Sequence, residues 1–161
     1  MHDLDYMQMA VDTARQALAV GEVPIGAIIV LEGQVLARAH NVREVWQDPT
    51  AHAEVVAIRD AAARRGAWRL NGATLYVTIE PCAMCAGAII LSRISRLVFG
   101  AMDPKAGACG SVFDLPAERR LNHRVAVQGG VLERESQQLM QDFFRRLRSA
   151  EVELPVTVPT V

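Results

Sequence analysis

The chain has 161 residues, of which 51% are apolar and 22% charged, with a net charge of −1. That length suits one domain, and the balance supports a buried core and argues against disorder. A net charge this small excludes a whole-molecule field drawing the protein to nucleic acid, so any such affinity must come from local basic patches.

The opening MHDLDYMQ carries two acids and no basic segment ahead of an apolar run, so no secretory signal is expected. From Asp5 to Val20, the apolar residues Tyr6, Ala10, Ala14 and Leu18 recur at helical spacing, and Gly21 ends the segment. VPIGAIIVL and QVLARAH then read as two strands of a hairpin turning at EGQ. The first of them is the most apolar stretch of the chain, but it is too short to span a membrane and holds Pro24 and Gly26. A helix is predicted from near Thr50 to Gly66, and ATLYVTI follows as a third strand. PCAMCAGAIILS reads as a helix with Pro81 in its first turn, where a missing N–H costs nothing. RLVFGA and HRVAVQGG supply a fourth and a fifth strand. Val131 to Ser149 forms a closing helix with Leu132, Leu139, Met140, Phe143 and Leu147 on its apolar side.

Strands alternating with helices in the second half predict a largely parallel sheet with helices on both faces, to which the hairpin adds an antiparallel portion. A single domain over residues 1–150 is expected. The tail 151–161, EVELPVTVPTV, is apolar and proline-bearing, and is expected to be disordered or to pack on a neighbour.

Chemistry concentrates at two predicted helix starts. In PTAHAEVVAI, His52 and Glu54 are two residues apart. In mid-helix such residues diverge by about 200°, so they can serve one site only off the helix end. Cys82 and Cys85 are three apart and share a helical face, where they can grip one ion. A C-x-x-C between strand and helix also fits a dithiol redox site, but a dithiol has no use for the nearby histidine and glutamate. Three cysteines without a secretion signal point to a reducing cytoplasm, where close cysteines bind metal or do redox chemistry.

His52, Cys82 and Cys85 form an N,S,S set that suits zinc and leaves a position for water. A closed structural site would need a fourth ligand, and His2, His40, His123 and Cys109 are not spaced for it. Cys109 reads as a small buried residue. Two thiolates neutralise the ion, so a base beside it must carry protons, and Glu54 is the candidate. The bland alternative for Glu54 is an acid favoured in a first helical turn.

H-x-E followed by P-C-x-x-C is the signature of zinc nucleobase deaminases. EVPIGAIIV, HN, DPTAHAE, ATLYVTIEPCAMCAGA, RLVFGAMDPKAGACGS, NHRV and DFFRRLR resemble, in order and spacing, the bacterial tRNA adenosine deaminases of the cytidine/deoxycytidylate deaminase superfamily. The resemblance runs from about residue 5 to 148.

It implies a three-layer α/β/α cytidine-deaminase-like fold around a five-stranded mixed sheet with helices on both faces. The implied reaction is hydrolytic deamination of the wobble adenosine to inosine in a tRNA anticodon loop, by a cytoplasmic homodimer using a zinc-activated water. One zinc per chain would be held by His52, Cys82 and Cys85, with Glu54 shuttling protons. Asn41 would bind the flipped nucleotide, although an asparagine there also suits a turn. Asp103, Lys105 and Asn122 align with loop residues that contact the anticodon loop; alone they read as a solvated turn and a capping asparagine. The runner-up is a deaminase of a free nucleobase or nucleoside, of guanine or cytosine type, which would keep the zinc site without an extended RNA surface.

FFRRLR, Phe143 to Arg148, is the densest basic cluster. Phe144 and Arg148 are four apart and are expected to face RNA, with Phe143 and Leu147 in the core. An amphipathic helix with solvated arginines is the alternative. In CAGAIILS, the residues Ala86, Ala88, Ile89 and Ile90 can pack against either a sheet or a partner.

Overall fold

The structure, a computed structural model, describes residues 1–153, with side chains through residue 150. Its elements are α1 (Asp3–Leu18), β1 (Gly26–Leu31), β2 (Gln34–His40), α2 (Arg43–Trp46), α3 (Ala53–Arg65) and β3 (Thr74–Ile79). They continue as α4 (Ala83–Leu91), β4 (Arg96–Ala101), β5 (Ala126–Gln128) and α5 (Glu133–Glu153). The last helix thus runs past the predicted end of the domain, and the rest of the expectation for 151–161 lies outside the described residues.

The sheet has the order β2–β1–β3–β4–β5. β1 is antiparallel to both β2 and β3, while β3–β4 and β4–β5 are parallel. The sheet is therefore evenly mixed and not largely parallel. Its cause is the crossover through α3, which skips over β1. β3 comes out parallel to β2 and so antiparallel to the strand between them.

Side chains alternate across this sheet and meet a helical layer on each side. Ala27, Ile29, Leu75, Val77, Leu97 and Phe99 pack with Val56, Ala57 and Ala61 of α3 and with Ala86, Ile89 and Ile90 of α4. Ile28, Val30, Tyr76 and Val98 point the other way, to Tyr6, Met7 and Ala10 of α1 and to Val131 and Leu132 at the entry to α5. Burial on both faces explains why the strands read as continuous apolar runs. Each fully buried aliphatic side chain contributes about 1.5–3 kcal/mol. The close seating of α1 depends on Gly26, because a Cβ there would collide with the Ala10 carbonyl and the Ala14 nitrogen.

Two short elements were not expected: α2, and a 3₁₀ turn over Leu115–Ala117. The placement of Leu147 in the core is also corrected. It is 45% exposed, and residues 144–150 of α5 are all exposed. The last turns of α5 have left the sheet, so no layer covers Leu147. Phe143 is half-buried and meets the Phe144 ring edge-on. Among the described residues, no helix is long and apolar enough to cross a membrane.

Candidate active site

His52 is the N-cap of α3 and Cys82 the N-cap of α4, both with extended backbone (φ −71°, ψ 151° and φ −72°, ψ 176°). This resolves the geometry of the H-x-E pair. His52 stands outside the helical wheel, so its ring turns in beside Glu54, which lies in the first turn of α3. Cys85 occupies the first turn of α4 in the same way.

The two helix tips meet. His52 Nδ1 lies 3.6 Å from Cys82 Sγ and 3.5 Å from Cys85 Sγ, and the donor atoms of the three residues lie within 4.8 Å of one another. Tetrahedral zinc with Zn–S of about 2.3 Å and Zn–N of about 2.0 Å would hold N and S roughly 3.5 Å apart. The trio fits that ion in donor type and spacing. Two helix N-termini, each worth roughly half a positive charge, favour thiolate there.

The protons within the trio are shared unevenly. The hydrogen bond from Cys85, helped by His52, pushes the Cys82 thiol down to about 3. That same bond, with burial, pushes Cys85 far above its ordinary range. Cys82 raises His52. Glu54 is 4% exposed, and burial holds its carboxyl above the usual range. Cys109 is buried as expected, and burial first, then Glu80, raises its thiol to about 12.

Beside the trio opens a cavity of about 130 Å³ lined by Val23, Ile25, Asn41, Arg43, His52, Ala53 and Glu54. It is well below the size of a drug-sized pocket and suits one planar base. Asn41 follows β2 directly and is 3% exposed, so it is a cavity wall and no solvated turn residue.

The expected RNA-contacting residues divide. Asp103, Lys105 and Phe144 line a second cavity, of about 340 Å³, with Met102 and Met140. Asn122 and Arg148 are exposed and do not line it. Asp103 Oδ1 accepts the backbone N–H groups of Lys105 (3.0 Å) and Ala106 (3.3 Å), which closes the DPKA turn.

Two buried carboxylates shape these cavities, and sequence reasoning did not single them out. Glu80 holds the loop carrying Asp103, and Glu22 holds Asn41. An acid closing the apolar strand LYVTIE was a signal for Glu80. Glu22, in a turn, gave none.

The fold is that of a cytidine-deaminase-like deaminase, and the family model of MafB19-like deaminases matches residues 1–148. Within that class the chain belongs to the family of tRNA-specific adenosine deaminases. It is 52% identical over 143 residues to the tRNA-specific adenosine deaminase of Bacillus subtilis, covering 89% of each chain. It superposes with a TM-score of 0.81 on a structure from a study of A-to-I editing by tRNA:A34 deaminases at the wobble position. That match has 46% identity and covers 84% of this chain and 98% of the other. The guanine deaminase of Bacillus subtilis is more distant, at 28% identity and a TM-score of 0.64, with full coverage of both chains.

Proposed function

We propose that this chain hydrolyses the wobble adenosine of a tRNA anticodon loop to inosine, releasing ammonia. The observation that carries the reading is the His52–Cys82–Cys85 trio at the edge of a base-sized cavity walled by Asn41 and Glu54. Membership among tRNA-specific adenosine deaminases supports the substrate.

In this reading His52 Nδ1 and the sulfurs of Cys82 and Cys85 hold one zinc ion. Zinc, when bound, supplies a Lewis acid that lowers the pKa of water toward neutrality. The chain's own work is proton transfer and positioning. Glu54 takes the proton of the attacking water at its carboxylate and passes it toward the leaving amine. Its burial favours this, since a raised carboxyl takes up a proton more readily than an exposed one and can hand it on. Asn41 hydrogen-bonds the base, and Val23 and Ile25 exclude bulk water from it.

The second cavity, with Lys105 and the Phe144 ring, takes a neighbouring splayed nucleotide, and Asn122 and Arg148 meet the backbone farther out. That surface favours anticodon-loop RNA over a free base. We assign residues 1–150 to one deaminase domain acting as a homodimer. The apolar face on which Ile58 of α3 and Leu91 of α4 flank Trp68 suits the interface. Three free cysteines suit the reducing cytoplasm.

The test is to incubate the zinc-loaded protein with a tRNA pool and sequence the pool before and after. Wobble adenosines should be read as guanosine. An unchanged pool, with turnover of free guanine or cytosine instead, would make the chain a free-base deaminase.

A further inference from the structure

Glu22 lies at the end of the turn after α1, outside the cavity lining, yet it is 1% exposed. Its two oxygens are engaged separately. Oε1 accepts the backbone N–H of Val45 in α2 (2.7 Å), and Oε2 accepts Nδ2 of Asn41 (3.2 Å). On the other side of the Asn41 amide, Oδ1 faces the backbone N–H of Arg43 (3.4 Å). An amide between an acceptor on its nitrogen and a donor on its oxygen has only one favourable orientation. Asn41 is therefore fixed, with one Nδ2 hydrogen committed to Glu22, and the residue itself lines the cavity.

That polarity matters for the base. When adenine turns its exocyclic amine to the reacting centre, N1 goes with it beside the reacting carbon; N3 and N7 are what remains at its edge, and both only accept hydrogen bonds. A wall residue that recognises such an edge must donate. Guanine, by contrast, carries a ring N–H, which an Asn41 oxygen would suit.

We propose that Glu22 is a positioning residue that sets base specificity: it locks the Asn41 amide with nitrogen toward the cavity, so that the site offers a donor to the acceptor-only edge of adenine. The inference rests on adenosine being the substrate. The lock is local, since Val45, the second partner of Glu22, lies in α2 two residues from Arg43, which lines the cavity.

Glu22→Gln separates the two contacts. The glutamine Oε1 still accepts the Val45 N–H, but its Nε2 now meets Asn41. Asn41 then keeps only one favourable contact in either orientation, so it is no longer fixed: turned over, it gives up the Arg43 N–H for the new Nε2 and presents Oδ1, an acceptor facing an acceptor. The measurement uses zinc-loaded protein and anticodon stem-loops carrying adenosine, 3-deazaadenosine or 7-deazaadenosine at the wobble position. The parent should lose about 10–100-fold in kcat/KM on one of the two analogues, where the donor has lost its partner. Glu22→Gln should lose a similar factor on adenosine itself, and its discrimination against that analogue should vanish, with zinc content and Tm unchanged. Adding Glu22→Gln to Asn41→Ala should cost nothing more.

Retained analogue discrimination in Glu22→Gln overturns the proposal, as do additive losses in the double variant. Loss of fold or zinc in Glu22→Gln also overturns it, by making Glu22 a structural support. A parent indifferent to both analogues removes the donor contact itself. Failure of the functional reading is distinguishable, because the parent would then not deaminate the adenosine stem-loop at all.

Discussion

Glu80 accepts the backbone N–H of Cys109 across 3.2 Å, joining the residue before Pro81 to a loop on the far side of the site. The same carboxylate accepts the backbone N–H groups of Ser111 (3.2 Å) and Asp103 (3.3 Å) and the Ser111 hydroxyl. A Cβ on Gly107 would collide with it, and Gly107 in turn bridges to Cys82. The loop bearing Asp103 and Lys105 therefore hangs on a side chain two residues from a proposed zinc ligand. Glu80→Ala leaves four donors without their acceptor, at about 1–3 kcal/mol for each that water cannot reach. We expect a loss of roughly 3–5 kcal/mol in denaturant unfolding. KM for an anticodon stem-loop should rise in the folded fraction, and unchanged stability and KM would leave the loop self-supporting.

Metal and proton roles separate by substitution. The purified protein should carry about one zinc per chain. Cys82→Ala and Cys85→Ala should lose the ion and much stability, because zinc binding is coupled to folding. Glu54→Ala should keep zinc and fold yet lose at least about a hundredfold in kcat. Zinc loss in Glu54→Ala, measured by metal analysis, would make Glu54 a ligand.

How far the sequence reached follows from which contacts are local. The strands RLVFGA and ATLYVTI were readable because burial on both faces demands unbroken apolar runs, and the structure ends both within a residue of expectation. The trio was readable because metal ligation fixes residue type and spacing. Glu22 was not, and Glu80 showed only as an acid closing an apolar strand, since a buried carboxylate resembles a surface acid until its donors fold around it. Three of the donors to Glu80 come from more than twenty positions away and are backbone N–H groups, which leave no mark on side-chain identity. The misplacement of Leu147 is the converse case. Helical periodicity gives a face, but where the sheet beneath it ends is a tertiary fact.

Phe144 and Arg148 should respond differently, because only Phe144 joins Lys105 in the second cavity. Stacking on an exposed aromatic is worth about 1–3 kcal/mol per base. Phe144→Ala should weaken stem-loop binding roughly five- to a hundredfold and, with the side chain 39% exposed, barely move Tm. Arg148→Ala should weaken binding less and reduce the salt slope by about one phosphate contact. Equal binding of both variants and the parent across a salt series would leave the end of α5 as scaffold only.

The pH dependence of stability has one identifiable acidic contributor at the N-terminus. Asp3 Oδ1 and Oδ2 accept two hydrogen bonds from Arg96, both 2.7 Å, and Oδ1 also accepts the Tyr76 hydroxyl at 2.8 Å. Arg96 first, with Tyr76 behind it, holds the Asp3 carboxyl below its ordinary value, against an opposing effect of burial that ranks between the two. A depressed carboxyl binds its proton more weakly in the folded chain than in the unfolded one. Its stabilisation is therefore complete at pH values above the unfolded value of about 3.9, and is lost as pH falls through the lower folded value. Both side chains are about a third exposed (34% and 30%), so solvent screens the pair to about 1 kcal/mol, high for a surface pair because the contact is bidentate. Asp3→Asn should lower Tm by about 2–4 °C at pH 7. That difference should shrink below about pH 4 and vanish once Asp3 is protonated in both states. A Tm difference that persists unchanged into acid would assign the effect to the Tyr76 hydrogen bond or to α1 packing, and remove the charge from the account.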